Sequence, residues 1–473
     1  MITEDIVFSS VRTLGELIRT RKISPLDLTE AYLDRLEKIG PKLNAVVTVT
    51  RDLAMRQARE AEKEIAAGKY RGPLHGIPYG AKDAFAAKGY PTTWGTAPYR
   101  HQVFDYDAAI VTRLRDAGAV LIGKLAMVEL VGGLGYNTAD ASFTGPGRTP
   151  WNPDYFSGGS SSGPAAATSA ALVAFSVGGE TGGSIVQPSS HCGVAGMRTT
   201  YGRVSRAGSV SLCWTLDKIG PLCRSSDDCG LVLNPIAGYD KDDPATSRRK
   251  FVYPAPAAKR RFRIAVIKGS YELAQPEVRE NFEKAVAVVS KFADVSKDVE
   301  FPDYPYGAIL GTILFSEGTA AFRELVDTGR MREMQNQQDR INGYVGMTIS
   351  AVDYLQAQRV RRLARLAIDE LLAKYDAVIG PTTTAVSGRV DQPFNRAAAG
   401  PRPSGPPPIP LVAAGNIAGV PAITVPDGFG QHGIPTGLQF MGSAWSDGNL
   451  IAIANAYQQQ TDWHKRRPPV AKI

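Results

Sequence analysis

The spacing of apolar and polar residues changes along the chain, and its first part follows helical periodicity. Ser24 precedes Pro25, which is the order of a helix N-cap and a first helical residue. Apolar side chains then recur three and four positions apart, at Leu28, Tyr32, Leu33 and Leu36. The pattern predicts N-terminal helices over residues 1–70.

From about residue 71 to residue 240, short apolar runs alternate with helices of small residues and with glycine-rich turns. The run from Ala119 to Ile122 is typical of a strand, and the run from Ala165 to Val173 is typical of a helix. Strands that alternate with helices indicate an α/β fold.

Long helical periodicity returns over about residues 275–375, and the segment from Asp376 to Pro381 then predicts a buried strand. A proline-rich loop follows at residues 396–410. Because a strand–helix core resumes in residues 376–473, we expect one α/β unit over residues 1–473 that carries a helical insertion, rather than several independent domains.

Composition excludes several classes of protein. With 473 residues, of which 43% are hydrophobic and 21% charged, the chain is neither disordered nor fibrous. Residues 1–5 lack the features of a secretory signal, and no run approaches the ~18–20 apolar residues of a membrane helix. We therefore expect a cytoplasmic protein that makes no membrane contact.

The charge balance, 54 Lys and Arg against 46 Asp and Glu, gives a net charge of +8 and specifies no partner. The arginines within residues 359–365 predict a solvated helix face without aromatic residues to stack bases, so nucleic acid is not expected. The four cysteines lack metal-ligand spacing, and we expect neither a metal nor a cofactor. They are predicted to be buried free thiols: Cys192, Cys213, Cys223 and Cys229.

Two familiar motifs occur in weak form. Gly118 to Lys124 fits the G-x-x-x-x-G-K pattern of phosphate-binding loops, but Leu125 replaces the magnesium-binding Ser or Thr and the interior is a strand core. Gly159 to Gly163 fits the G-x-S-x-G pattern of Ser-His-Asp hydrolases, but a turn-rich segment precedes it and no downstream histidine stands out as a base. Nucleotide binding is disfavoured, and a Ser-His-Asp hydrolase is weakly supported.

Two glycine-rich segments are more informative. The run of Gly and Ser from Ser157 to Gly163 leads into Pro164 and three alanines, so it enters a helix N-terminus rather than a flexible linker. About twenty residues later, glycines precede Ser184. Their lack of side chains allows successive backbone N–H groups to converge on one point, as an oxyanion hole requires.

In these segments the sequence resembles the amidase signature hydrolases. That family carries a G-I-P-x-x-x-K-D segment, a G-G-S-S-G-G-S-A-A-A loop and a G-[ST]-D-[TI]-G-G-S-I-R segment in this order. Here they correspond to Gly76–Asp83, Gly158–Ala167 and Gly179–Val186. The likeness covers most of the chain through Tyr201–Arg206, Asp217–Pro221, Asn416–Ala422 and Gly437–Gln439. The resemblance implies a single α/β/α sandwich with a large mixed central sheet.

The resemblance also implies roles for individual residues. Ser184 would be the nucleophile that forms an acyl-enzyme, Ser160 would relay its proton beside a cis peptide bond, and Lys82 would be the base. A lysine acts as a base only where burial lowers its pKa. The implied oxyanion donors are the N–H groups of Thr181, Gly182, Gly183 and Ser184, with Ser161 as a supporting residue. The implied substrate wall comprises Val131, Gly132, Gly133 and the 396–410 loop.

The sequence departs from the family pattern behind the oxyanion turn. Glu180 replaces Asp, Val186 replaces the usual Arg, and Arg198 stands where Lys is common. Val186 therefore removes a charge partner that Glu180 would otherwise use.

The family includes stand-alone amidases and the A subunit of the glutamine-dependent aminoacyl-tRNA amidotransferase. In that subunit, glutamine is held by an Arg of the insertion and by an Asp seven residues before the N-x-A-G segment. Here Ile409 occupies the second position, and no Arg-Arg pair precedes Gly343. We therefore expect a stand-alone hydrolase whose partner is a small neutral amide, hydrophobic or aryl, with esters and carbamates as related substrates.

Two alternatives remain open at this point. One is a glutamine-hydrolysing amidotransferase subunit, and the other is a catalytically silent binding protein of the same fold. The sequence leaves open whether the protein is a monomer or a homodimer.

Overall fold

Eleven strands form one mixed sheet at the centre of the computed structural model, which describes residues 2–255, 260–394 and 409–472. The strand order is β1-β3-β2-β4-β6-β5-β10-β11-β9-β7-β8. The strands are β1 Val46–Val49, β2 Pro78–Lys82, β3 Val120–Leu125, β4 Phe175–Glu180, β5 Ala195–Arg198, β6 Lys218–Cys223, β7 Phe262–Ile267, β8 Ala293–Val299, β9 Ala377–Pro381, β10 Ala422–Phe429 and β11 Pro435–Met441.

Helices pack against this sheet and fill the connections between its strands. They are α1 Glu4–Val7, α2 Val11–Arg19, α3 Pro25–Ile39, α4 Arg51–Ala66, α5 Ala109–Asp116, α6 Ser162–Ser169, α7 Val186–Cys192, α8 Ser226–Ile236, α9 Pro276–Val289, α10 Tyr306–Ala321, α11 Arg323–Asp327, α12 Gln337–Gly346, α13 Ala351–Leu372, α14 Leu411–Ala418 and α15 Asp447–Gln458. The predicted start of α3 is confirmed, because Ser24 Oγ accepts hydrogen bonds from the N–H groups of Leu26 and Asp27.

The middle of the sheet positions the site. Strand β2 is buried along its whole length and pairs in parallel with β3 on one side and β4 on the other. Neighbouring parallel strands bring their carboxyl ends to the same edge of a sheet, where α/β proteins place their ligand sites. The carboxyl ends of β2 and β4 are Lys82 and Glu180, so two of the motifs meet there although they are far apart in sequence.

Two expected helical regions contain strands. The N-terminal 1–70 region includes β1, which pairs antiparallel with β3. The expected insertion at 275–375 includes β8, which pairs in parallel with β7 at the sheet edge. The purely helical part is shorter and runs from α10 to α13. Strand β8 is a mostly exposed edge strand with a mixed polar sequence, so it lacks the apolar signal by which the buried strands were predicted.

The segment that weakly fits the phosphate-loop pattern forms a strand of the sheet rather than a loop. Residues 120–125 form β3, and the buried Lys124 amine lies 2.8 Å from a carboxylate oxygen of Asp83. Three of the four arginines on α13 are exposed as predicted, whereas Arg361 donates hydrogen bonds to the carbonyls of Thr215 and Ile417. All four cysteines are buried free thiols, as predicted.

Within the described parts of the chain, no helix combines the length and apolar character needed to span a bilayer. The proline-rich loop predicted at 396–410 lies outside the described residues except for Ile409 and Pro410.

Candidate active site

Lys82 ends strand β2 with its side chain fully buried. Its amine lies 2.8 Å from Ser160 Oγ and donates a hydrogen bond of 3.2 Å to the Gly179 carbonyl. Burial lowers the pKa of Lys82 to about 7, although the carboxylates of Asp217 and Glu180 oppose the shift. The amine is therefore substantially unprotonated near neutral pH, which is the state in which it can accept a proton.

The loop that carries Ser160 is built on close backbone approach. The Gly159–Ser160 peptide bond is cis, and the Ser160 carbonyl accepts a hydrogen bond from the N–H of Val128. A Cβ atom on Gly159 would lie 2.6 Å from the Tyr136 hydroxyl, so a larger residue would displace this aromatic side chain. Ser160 itself is nearly fully buried beside Lys82.

Backbone and side-chain hydrogen bonds join the two glycine-rich segments. The N–H of Ser161 donates to the carbonyl of Ser184 at 3.2 Å, and the Ser161 hydroxyl donates to the Gly179 carbonyl at 3.2 Å. Ser184 is only half-buried, in contrast to Ser160. The structure thus brings Lys82, Ser160, Ser161 and Ser184 together around the end of β4.

The turn between β4 and α7 presents free donors. Among the described residues, the backbone N–H groups of Gly182, Gly183 and Ser184 donate no hydrogen bond. Gly183 has a φ of +134°, a backbone conformation that residues with a Cβ atom rarely adopt. The Thr181 hydroxyl anchors the start of the turn by donating to Asp217 at 2.6 Å. Unpaired N–H groups in a fixed turn have the properties that an oxyanion hole needs.

Glu180 holds the other end of this turn. One carboxylate oxygen accepts the N–H groups of Ile185 and Val186 at 2.8 and 3.0 Å. The other oxygen lies 2.8 Å from the side-chain amide of Asn416 and 3.4 Å from the guanidinium of Arg198. The carboxylate therefore closes the first turn of α7 directly after the candidate nucleophile.

Arg198 supplies the cation that the sequence departures left in question. Its side chain is fully buried and also donates to the Val420 carbonyl at 3.1 Å. The charge lost at Val186 is thus replaced from β5, and Glu180 keeps a charge partner. The sequence around Val186 and around Arg198 gives no sign of this pairing. Val186 begins α7 and Arg198 ends β5, and only the fold brings Arg198 to Glu180.

Beside the turn lies a second buried lysine. Burial and the nearby Arg198 cation together lower the pKa of Lys218 to about 7, although the carboxylates of Glu180 and Asp217 oppose the shift. Lys218 pairs with Glu180 in the β4–β6 register. The segment that contains Asp217 and Lys218 stands out in the sequence only as part of the family likeness, with no role attached.

A cavity of about 610 Å³ opens beside the two glycine-rich segments. Its wall includes Gly159 and Gly182, which adjoin the candidate catalytic serines, and Gln187 and His191 on α7. An aromatic cluster also contributes to the wall, with ring centroids 5.2–6.3 Å apart: Tyr136, Phe156 and Phe394. No charged side chain is among the described residues that line it.

The expected wall residues Val131, Gly132 and Gly133 are not among the described residues that line this cavity. Leu130 and Val131 have positive φ values of 47° and 63°. Gly133 instead packs against Leu212, and Gly132 packs behind the Tyr136 ring. Gly132 contacts the ring of Tyr136, which does line the cavity, and the assignment of these three residues to the substrate wall stays a prediction. Ile409 and Pro410 of the expected loop do line the cavity.

Within the described ranges, no group of three or more His, Cys, Asp or Glu side chains is arranged to hold a metal ion.

Comparison with known proteins agrees with this geometry. The chain matches the Amidase family over residues 27–451. It is 34% identical to the A subunit of the glutamyl-tRNA(Gln) amidotransferase of Dehalococcoides mccartyi (strain CBDB1), covering 98% of this chain and 99% of that protein.

Solved structures give the same result. The peptide amidase from Stenotrophomonas maltophilia is 31% identical with a TM-score of 0.83, and 98% of each chain is covered. A chain from a vestigial protein complex linked to the origins of an s-triazine catabolic enzyme is 28% identical with a TM-score of 0.87, covering 95% of this chain and 98% of that one. The protein therefore belongs to the amidase signature family of hydrolases, as the motifs and the mixed-sheet fold indicated.

Proposed function

We propose that the protein is a stand-alone amidase that cleaves the C–N bond of neutral linear amides with hydrophobic or aryl groups. The observation that carries the proposal is the contact of a fully buried Lys82 amine with Ser160 Oγ, beside a turn with free N–H donors. A serine hydroxyl is a weak nucleophile and needs such a base nearby.

In the proposed reaction, Ser184 Oγ attacks the amide carbonyl while its proton passes to Ser160 and the Ser160 proton passes to Lys82. The N–H groups of the 181–184 turn stabilise the oxyanion of the tetrahedral intermediate, at about 3–4 kcal/mol per donor. The proton then returns through Ser160 to the leaving amine, the C–N bond breaks, and an acyl-enzyme on Ser184 remains. Water hydrolyses this ester by the same proton path in reverse. Esters and carbamates pass through the same kind of intermediate, so we include them as secondary substrates.

The walls of the cavity support a neutral substrate. Burying an unpaired carboxylate or ammonium group is costly, and the described lining offers no opposite charge to compensate for it.

A second candidate is a glutamine-hydrolysing amidotransferase subunit, which the 34% identity over nearly the whole chain favours. Against this second candidate, Ile409 lines the cavity at the sequence position where the A subunit of the amidotransferase has an Asp. A zwitterionic glutamine would lose this polar anchor. The remaining alternative, a silent binding protein, has no need of a buried neutral lysine.

The test is a turnover screen over short acyl anilides, primary amides, aryl esters, carbamates and glutamine. We expect turnover of anilides and neutral amides, little of glutamine, and a loss of at least about 10⁴-fold in kcat for Ser184→Ala. Ser296→Ala, which alters an exposed serine on β8, is the matched control and should keep wild-type turnover.

Each alternative has its own result. Glutamine turnover above that of all neutral amides, with co-purification of partner subunits, would favour the amidotransferase. Unchanged turnover in Ser184→Ala, or failure of a fluorophosphonate probe to label Ser184, would overturn the proposed mechanism.

A further inference from the structure

One face of α7 runs along the cavity from the candidate nucleophile. The helical hydrogen-bond pattern already begins at Gly183, whose carbonyl accepts the N–H of Gln187 at 2.9 Å. Ser184, Gln187 and His191 are therefore spaced i, i+3 and i+7, which places them on the same side of the helix. Gln187 and His191 both line the cavity. At 1.5 Å per residue, His191 lies about 10 Å along the axis from Ser184.

His191 is chemically unused in the fold. Its Nδ1 atom is buried and has no hydrogen-bond partner among the described residues. Burial lowers the pKa of His191 to about 4, so the ring is neutral at physiological pH. A neutral imidazole offers one donor and one acceptor, and leaving such groups unpaired in a buried position is unfavourable. Because Nδ1 is closed off from the cavity, Nε2, which is not among the buried unpaired atoms, is the ring nitrogen that can bind a polar neutral group entering the cavity.

The other residues that line the cavity limit which kinds of ligand could place a polar group beside His191. Gly158 lies against the imidazole, because a Cβ atom there would be 3.0 Å from His191 Nδ1. The aromatic cluster of Tyr136, Phe156 and Phe394 supplies apolar surface to the same cavity, and no charged side chain is found among its described lining. An elongated acyl group with an apolar middle and a neutral hydrogen-bonding end matches these walls.

We propose that His191 determines acyl specificity by hydrogen bonding to a neutral polar group, such as a carboxamide, about 10 Å from the scissile carbonyl. This inference rests on the proposed amidase function and specifies its substrate class. It makes His191 a specificity-determining residue and gives it no part in the proton transfers.

The test compares two anilides whose extended acyl chains have equal length, about 10 Å. One ends in a carboxamide, and the other ends in an isopropyl group of nearly the same shape. We expect the wild-type enzyme to favour the carboxamide by about tenfold in kcat/KM, the size of one hydrogen bond to a buried partner. His191→Phe keeps an aromatic ring without its nitrogens and should bring the ratio close to one.

Two further variants test whether a loss of the carboxamide preference comes from a general effect on the fold. His191→Asn keeps a donor and an acceptor and should retain part of the preference. His101→Phe changes an exposed histidine outside the cavity and should keep the wild-type ratio. A wild-type ratio near one, or a ratio unchanged in His191→Phe, would overturn the inference.

Binding measurements separate this inference from the proposed function. In Ser184→Ala protein, calorimetry with the same two anilides should show about a tenfold lower Kd for the carboxamide, and His191→Phe should remove the difference. If short anilides are hydrolysed but neither long anilide binds, the specificity inference fails and the amidase function stands. If the binding preference is present but no anilide is hydrolysed by the wild type, the inference survives as a statement about ligand binding and the amidase function fails.

Discussion

Lys82 is placed where its charge is least favoured, at the end of a strand that is buried along its whole length. The amine has two hydrogen-bond partners, Ser160 and the Gly179 carbonyl, and neither carries a charge. Desolvation therefore dominates, and the folded state favours the neutral amine far more than the unfolded chain does. This preference is unfavourable for stability and favourable for proton transfer.

The first residue-scale prediction concerns the pH profile. Because the pKa of Lys82 is lowered to about 7, kcat/KM for a neutral amide should rise as the pH increases through about 7 and level off above it. Lys82→Arg, whose guanidinium stays protonated, should be inactive across the range. The measurement is kcat/KM for an anilide between pH 5 and 9.

Lys218 is the necessary control, because burial lowers its pKa to about 7 as well. If Lys82 is the base, Lys218→Met should retain the rising limb at a reduced plateau. Loss of the limb in Lys218→Met would transfer the role to Lys218 and contradict our assignment.

The family resemblance of three short segments identified the three candidate catalytic residues, whereas composition marked only the two glycine-rich segments and gave no sign of Lys82. The sequence could not identify the residues that hold these catalytic candidates in position. Glu180 and Arg198 are 18 residues apart on β4 and β5, two strands that are not neighbours but are separated by β6. His191 gave no signal either, since its role depends on which face of α7 the cavity meets.

At the scale of elements, the junction of β4 and α7 depends on one carboxylate. Glu180 joins the first turn of α7 to Arg198 and Asn416, so three separate parts of the fold meet at its two oxygens. All of these groups are buried, and a buried carboxylate without its cation is strongly destabilising. The position of Ser184 therefore depends on a pairing made outside its own segment.

Arg198→Met should lower the free energy of unfolding by about 3–5 kcal/mol, because it leaves the Glu180 charge uncompensated. The double variant Glu180→Gln with Arg198→Met removes both charges and should recover most of this loss. Urea unfolding of the wild type, the two single variants and the double variant measures the coupling. Activity should recover less than stability, because Gln holds the N–H groups of the α7 turn more weakly than a carboxylate does.

Additive effects of the two substitutions would contradict this pairing, since independent sites show no coupling energy. In that case the 3.4 Å contact between Glu180 and Arg198 would carry little energy, and Asn416 would be the main partner of the carboxylate.

At the scale of the whole molecule, one sheet determines which segments meet. Residues 82 and 184 are far apart in sequence, yet β2 and β4 are adjacent and parallel, so the segments at their carboxyl ends converge. The periodicity of the sequence could predict an α/β core and a helical stretch within it. It could not predict that β8 extends the same sheet, because an exposed edge strand has no continuous apolar run.

A pair of buried carboxyl groups connects the helical part, α10 to α13, to the core. Glu129, in the loop after β3, and Asp339, on α12, lie side by side and are both fully buried. Glu129 also accepts the N–H groups of Gln335 and Asn336 at 3.1 and 2.8 Å. Neither carboxylate oxygen of Asp339 has a donor among the described residues. A proton held between the two groups satisfies both.

This pair should make stability depend on pH. Burial raises the pKa of both groups, and their mutual repulsion raises that of Asp339 further, so the folded protein holds a proton that the unfolded chain releases above about pH 4. The stabilising effect is complete below that pH and is lost as the pH rises through the folded pKa. Asp339→Asn supplies a permanent donor to Glu129 and should raise the free energy of unfolding by about 2 kcal/mol at pH 9.

At pH 5 the gain from Asp339→Asn should be much smaller, because Asp339 already carries its proton there. Urea unfolding at the two pH values measures the difference, and Asp303→Asn, which neutralises an exposed carboxylate, is the matched control. Equal stabilisation at both pH values, or destabilisation at pH 9, would show that Asp339 is ionised in the folded protein. The link that Glu129 makes to the helical part would then depend on the backbone N–H groups of Gln335 and Asn336 and not on Asp339.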